Sequence, residues 1–295
     1  MRQIAILSGK GGTGKTSITA ALVTLVKDGI YADCDVEASD LFIILQPQNK
    51  EENEFAGGQI AIIDNNKCTG CNKCYEVCRF NAVKIINNSY KINKYSCEGC
   101  GFCVRVCPEK AIVMERQQAG YWYKSDTRFG KLVYAKLFPG QENSGKLVTM
   151  VRHQAKLLAE EEKKEYIIID GPPGIGCPVI STLSGVDDVI IVTEPTKSGL
   201  SDLKRIAKTA LHFNIPVSVI VNKYDLNKDI ALNIRDYSLN NNFNYLGEIP
   251  FDKIFVKAMV NRKSVIEYDR NSEISKKIIE IAKKMNITLK EEFNE

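Results

Sequence analysis

The chain has 295 residues, 44% hydrophobic and 26% charged, with a formal net charge of +4. That length suits one large domain or two modest ones with a sizeable core, and so ordinary a composition argues against long disordered tails. So small a charge is not the footprint of a nucleic-acid binder, and no apolar run approaches the ~18 residues of a membrane span.

The sequence enters an apolar run at Ile4, which leaves no room for a secretory signal and points to the cytoplasm. Ten cysteines in such a chain read as metal ligands or redox groups rather than disulfides, and eight of them fall between Cys68 and Cys107.

Ile4-Ala5-Ile6-Leu7 is a buried-strand candidate and Ile18 to Val26 a helix candidate. Between them runs Gly9-Lys10-Gly11-Gly12-Thr13-Gly14-Lys15-Thr16-Ser17. Strand, glycine loop and helix N-terminus are what a phosphate site needs. The glycines let backbone N–H groups turn inward, and the helix end adds partial positive charge. Gly9, Gly14, Lys15 and Thr16 occupy the fixed places of G-x-x-x-x-G-K-[ST], in which the lysine meets the β- and γ-phosphates and the hydroxyl ligates Mg²⁺. Lys10 gives the loop a second lysine.

A short strand, Ile30-Tyr31-Ala32, ends at Asp33-Cys34-Asp35, where the carboxyl end of a central strand suits metal and water. Ala38 to Leu45 reads as a short helix and the polar run Gln48 to Glu54 as an exposed link. From about Gln59 to about Met114 the sequence repeats itself as strand, cysteine loop, short helix and strand, which suggests a pseudo-two-fold module. Gly120–Lys124 and Lys131–Ala135 read as a hairpin, with Trp122 packing against the domain junction rather than serving as a docking surface. An α/β alternation follows. It comprises a helix over Leu147–Lys163, an apolar strand Tyr166–Ile169 ending in Asp170 and Gly171-Pro172-Pro173-Gly174, and strands at Val189–Val192, Val217–Val221 and Asn244–Ile249. Further helices are expected near Ser201–His212 and Ile274–Met285. Continuous apolar strands alternating with helices mean a parallel sheet covered on both faces.

Cys68-x2-Cys71-x2-Cys74-x3-Cys78 recurs as Cys97-x2-Cys100-x2-Cys103-x3-Cys107-Pro108. This resembles the bacterial two-cluster ferredoxin pattern, in which the fourth cysteine of each run serves the other cluster. The resemblance implies Cys68, Cys71, Cys74 and Cys107 on one [4Fe-4S] cluster and Cys97, Cys100, Cys103 and Cys78 on a second. Four-cysteine zinc sites are the alternative, disfavoured by this spacing given twice. Arg79 stands where the usual proline would follow the fourth cysteine of the first run.

The loop with Lys10 resembles the deviant P-loop, G-K-G-G-x-G-K-[ST], of the MinD/Mrp superfamily. With the cysteine runs, the resemblance covers the whole chain. It implies an α/β P-loop ATPase fold, a mostly parallel sheet with helices on both faces, formed discontinuously by residues 1–58 and 115–295. Residues 59–114 are then an inserted α+β ferredoxin domain. By the same resemblance Gly9, Gly11, Gly12, Thr13, Gly14, Lys15, Thr16 and Ser17 bind nucleotide, and Lys10 reaches phosphates held by a second copy. Asp35 is the switch I aspartate positioning water, Asp170 the Walker-B carboxylate sharing Mg²⁺ with Thr16, and Asp33 lies near that metal. Asn222 and Lys223 fall at the base-reading position, with Pro250 and Phe251 flanking the base. ATP is favoured, although Asp225 stands where a guanine reader would be.

Cys34 reads as a packed small residue. Cys177 follows Asp170 by seven residues, the separation at which the nitrogenase iron protein, a superfamily member, carries a bridging-cluster ligand. No second cysteine lies between Val113 and Asp170, so Cys177 is expected near a dimer axis without a shared cluster.

The function implied is a homodimeric ATPase that couples nucleotide state to electron transfer through two [4Fe-4S] clusters. The alternative is an iron–sulfur or metallocofactor assembly ATPase of the Mrp type, weakened by the absence of that type's C-terminal Cys-x-x-Cys. The expected partner is accordingly a redox protein or an apo iron–sulfur or metallocofactor protein. Neither nucleic acid nor a stable membrane anchor is expected, since Glu291-Glu292-Phe293-Asn294-Glu295 would be repelled by anionic lipid.

Overall fold

A computed structural model describes residues 1–139, 141 and 145–293. The chain forms two compact units. One comprises Met1–Asn53, Trp122–Lys136 and Asn143–Glu295, the other Glu54–Tyr121 and Leu137–Glu142. The second unit is therefore wider than the expected 59–114. Asn294 and Glu295, part of the acidic terminal run, lie outside the described residues.

In chain order, β1 (Arg2–Ser8) leads through the glycine loop to α1 (Lys15–Leu25), β2 (Gly29–Asp33) and α2 (Leu41–Leu45). There follow β3 (Gln48–Ile63), α3 (Lys73–Glu76), β4 (Val83–Ile86), β5 (Ser89–Ile92), α4 (Phe102–Val106), β6 (Ile112–Thr127) and β7 (Gly130–Leu137). Next come α5 (Lys146–Glu161), β8 (Tyr166–Pro173), α6 (Cys177–Leu183), β9 (Asp188–Thr193) and α7 (Lys197–His212). The chain closes with β10 (Val217–Asn222), α8 (Lys228–Asn240), β11 (Asn244–Ile249), α9 (Ile254–Val260), α10 (Val265–Tyr268) and α11 (Glu273–Lys284).

In the first unit the sheet order is β11-β10-β9-β1-β8-β2-β7, continued by the parts of β6 and β3 that belong to it. Pairing is parallel from β11 through to β7. Ile4, Ala5, Ile6 and Leu7 of β1, and Ile167, Ile168 and Ile169 of β8, are buried, which is why these strands read as unbroken apolar runs. β8 and β9 flank β1 on opposite sides, so consecutive strands straddle it and open a crevice at its carboxyl end. In open α/β sheets that crevice is where ligands bind. α11 lays Ile274, Ile278 and Ile281 into the core at helical spacing, with Ser272 accepting from the Ser275 amide as its N-cap.

The polar stretch expected as a link, Gln48 to Glu54, is instead the first half of a sixteen-residue strand. Its side chains are mostly exposed, so the alternation that marks a half-buried strand is missing there. The hairpin is as expected in place: β6 and β7 are neighbours joined at Arg128-Phe129, and Trp122 is buried.

The second unit is built twice, with each feature recurring 29 residues on, as from Cys68 to Cys97 and from Cys78 to Cys107. Asp64 N donates to Ala111 O at 2.8 Å, and Asn93 N to Ala82 O at 2.7 Å. The Asp64 carboxylate accepts from the Asn66 amide, as the Asn93 side chain does from that of Tyr95, both at 3.0 Å. Left-handed backbone recurs at Gly70 and Gly99, at Asn72 and Gly101, and at Asn81 and Lys110. α3 and α4 are thus equivalent, and β4 and β5 pair antiparallel around Asn87-Asn88. Among the described residues no helix is long and apolar enough to cross a membrane.

Candidate functional site: a phosphate loop and two cysteine runs

Two glycines of the loop have no substitute. A Cβ on Gly9 would sit 2.0 Å from the Asp202 Cβ. One on Gly14, whose φ is +88°, would lie 2.3 Å from Asn222 Nδ2. The loop closes under α1 and opens into a cleft of about 400 Å³. Lys10 through Ser17, Asp35, Asn222, Lys223, Pro250 and Phe251 all border it, joined by Phe255, Val256 and Met259 of α9. Gly9 backs the loop against Asp202.

Asp170 is fully buried on β8, opposite Ile6 of β1 on one side and Asp33 of β2 on the other. Its Oδ1 accepts from Lys15 Nζ and from Thr19 Oγ1, each at 2.9 Å, and its Oδ2 from Thr16 Oγ1 at 2.7 Å. Lys15 also lies 3.6 Å from Asp35 Oδ2. Burial works against the Lys15 ammonium, but the surrounding carboxylates, Asp170 foremost, raise it above its ordinary value. One buried lysine therefore faces three aspartates. Burial pushes Asp33 up to about 8 and Asp35 up to about 6, against the pull of Lys15.

Asp33 serves its own loop. Its Oδ1 accepts from the Asp35 amide at 3.1 Å, and its Oδ2 from Ser39 Oγ at 2.7 Å and the Leu41 amide at 3.1 Å. With those bonds it shapes the turn that presents Asp35. Thr16 and Asp170 stand side by side as hard oxygen donors, and this pair fits Mg²⁺.

Asn222, expected at the base-reading position, borders the cleft and also contacts the loop. It is buried, its Nδ2 donates to Thr13 O at 2.7 Å, and its Oδ1 accepts from the Lys223 amide at 3.0 Å. Its amide group therefore braces the loop. Asp225 likewise is engaged, accepting from the Phe251 amide at 2.6 Å.

Sequence reasoning missed Glu194. It lies just past β9, on the far side of β1 from Asp170, and pairs with Lys10 at 3.0 Å and with Lys223 at 2.5 Å. Lys223 also donates to Gly12 O at 2.8 Å. Burial would raise the Glu194 carboxyl, but Lys223 and Lys10 outweigh it and hold it below the usual range. The available signal was positional, since a carboxylate ending a strand beside the P-loop strand is the feature that singled out Asp170.

In the second unit, Cys68, Cys71, Cys74 and Cys107 border one small cavity, three from the first run and one from the second. Cys78, Cys97 and Cys103 pack against the same apolar cluster of Ala61, Val83, Tyr90 and Ile112. The sulfurs of Cys78 and Cys107 accept at 3.3 Å from the amides of Ala82 and Ala111 respectively. Burial works to raise Cys78, but the amides of Ala82, Phe80 and Val83 prevail and lower it, favouring a thiolate. Burial pushes the equivalent pair Cys74 and Cys103 up. Among the described residues no three His, Cys, Asp or Glu side chains gather closely enough to hold a single metal ion. Cysteine thiolates are the donors that iron–sulfur clusters take, and four thiol-bearing residues border this one cavity.

Of the two remaining cysteines, Cys34 is fully buried and its thiol is raised well above the ordinary range by that burial. Cys177 is exposed at the start of α6.

A family model described as the CobQ/CobB/MinD/ParA nucleotide binding domain matches residues 4–265. The chain belongs to this family. An uncharacterized protein of Methanocaldococcus jannaschii is 35% identical over 286 residues, covering 96% of each chain. The septum site-determining protein MinD of Bacillus subtilis is 27% identical over 209 residues, 69% of this chain and 57% of that one. Among solved structures, MinD of Pyrococcus horikoshii in complex with Mg-ADP superposes with a TM-score of 0.57 at 16% identity, covering 97% of this chain and 96% of that one. A MinC:MinD complex of Aquifex aeolicus gives 0.57 at 21% identity, covering 98% of both. These neighbours share the α/β fold with a mostly parallel sheet.

Proposed function

We propose that the chain is a cytoplasmic, homodimeric ATPase in which nucleotide state is coupled to electron transfer through two [4Fe-4S] clusters. The observation that carries the reading is the cavity bordered by Cys68, Cys71, Cys74 and Cys107 in a chain that also holds a complete P-loop. Three thiolates from one half and a fourth from the other are what the two-cluster spacing asks for. The second set is Cys97, Cys100, Cys103 and Cys78. When bound, such clusters accept and return single electrons at potentials tuned by hydrogen bonds to sulfur and by burial.

At the nucleotide, the amides of Gly11 to Thr16 cradle the phosphates while Lys15 leaves Asp170 to meet the β- and γ-phosphates. Thr16 and Asp170 would hold Mg²⁺, which would neutralise phosphate charge. Asp35 orients the attacking water, Lys10 approaches from a second copy, and Pro250 and Phe251 flank the adenine. The Mg-ADP named for the Pyrococcus horikoshii MinD structure supports a nucleotide of this kind.

The test is anaerobic. Purified protein should carry about eight irons per chain, hydrolyse ATP, and show a cluster midpoint potential that moves when ADP is exchanged for ATP. Iron near zero after anaerobic reconstitution, or a potential indifferent to nucleotide, overturns the coupling. Loss of iron to an apo-protein, without electron delivery, would replace the electron carrier by an assembly factor.

A further inference from the structure

Lys10 is already engaged within its own chain. Its ammonium lies 3.0 Å from Glu194 Oε2, while Glu194 Oε1 takes Lys223 at 2.5 Å. The Glu194 side chain is 13% exposed against 40% for Lys10, so the carboxylate is the fixed partner and the lysine the movable one. Lys223 is anchored further by the Gly12 carbonyl at 2.8 Å. When Lys10 departs, Glu194 keeps Lys223, so no buried charge is left without a counter-ion and release stays cheap.

We propose that Glu194 is a positioning residue that holds Lys10 against its own chain in the nucleotide-free monomer. Pairing of two nucleotide-loaded copies then requires each Lys10 to exchange Glu194 for the phosphates of the other. This rests on the reading of Lys10 as a residue acting across a dimer. Each pair of copies gives up two such ion pairs, so the holding contact counts twice in the association constant. Each being partly exposed, their joint effect on association is on the order of tenfold.

Sedimentation velocity on the full chain tests it, with Mg²⁺ and saturating β,γ-imido ATP, for the native protein, Glu194→Gln, Lys10→Ala and the double variant. Glu194→Gln should pair at about tenfold lower protein concentration than the native chain, and only with nucleotide. Lys10→Ala should lose pairing in both backgrounds. If Lys10→Ala abolishes pairing but Glu194→Gln leaves it unchanged or weaker, the holding role of Glu194 is wrong. If Lys10→Ala pairs as well as the native chain, the cross-dimer reading of Lys10 itself fails. A second measurement does not depend on pairing. Reductive methylation of the nucleotide-free monomer should label Lys10 several-fold faster in Glu194→Gln than in the native chain, and equal rates overturn the contact.

Discussion

Lys15 Nζ and Asp170 Oδ1 lie 2.9 Å apart, so the lysine expected at the phosphates is held by the carboxylate expected at the metal. Neither charge is exposed to solvent, and each is the other's main counter-ion. Breaking a buried pair from one side leaves the other charge stranded, at about 3 kcal/mol or more. Lys15→Ala is therefore expected to do two separable things. It should lower the stability of the nucleotide-free protein by roughly that amount, read by urea unfolding, and remove nucleotide affinity, read by titration calorimetry. Unchanged unfolding with lost affinity would mean that the pair does not form in the free protein.

The aspartates around Lys15 make stability depend on pH. Asp33, at about 8, and Asp35, at about 6, both lie above an ordinary carboxyl near 4. The folded chain thus holds more protons than the unfolded chain between these values, and its stability falls as pH rises through that window. The thermal midpoint of the nucleotide-free protein should decrease from about pH 4 to about pH 8, more steeply below pH 6 where both groups contribute, and Asp33→Asn should flatten the decline. A midpoint that rises with pH over this range contradicts the raised Asp33 and Asp35 carboxyls.

Asn222 braces the loop through Thr13 O and fills the space beside Gly14. Asn222→Ala removes a buried hydrogen bond, which costs about 1–3 kcal/mol when the partner is left unsatisfied. Affinity for ATP and for GTP should fall together, roughly tenfold or more, with their ratio unchanged. A selective loss of ATP, measured with fluorescent analogues of both nucleotides, would show that Asn222 reads the base.

Cys107 belongs by sequence to the second run and by position to the cavity of the first. On the proposed cluster reading, Cys107→Ser should therefore alter the electron paramagnetic resonance signal of the cluster assigned to Cys68, Cys71 and Cys74. Cys97→Ser should alter the other signal. If Cys107→Ser and Cys97→Ser disturb the same signal, the crossed assignment is wrong.

What the sequence made legible follows from where each signal comes from. Ile4–Leu7 and Tyr166–Ile169 were readable as strands because both faces of a central parallel strand are buried. Lys15, Thr16 and Asp170 were readable because the loop's spacing and a strand-end carboxylate are local patterns. Gln48–Glu54 was not, because its exposed side chains carry no alternation. The working partners of Asn222 and Glu194 were hidden for another reason. Thr13 lies 209 residues from Asn222, and only the closed sheet brings Lys10, Lys223 and Glu194 to one place.

The 29-residue offset in the second unit makes each half a reference for the other. At Ala82 and Ala111 the two copies agree, and in both the amide points at a sulfur, so that geometry tolerates little drift. At Asn72 and Gly101 they have parted in sequence while keeping a left-handed backbone, and only Asn72 adds side-chain bonds there, to Glu76 and from Tyr90. A substitution in one half therefore comes with its matched control inside the same polypeptide.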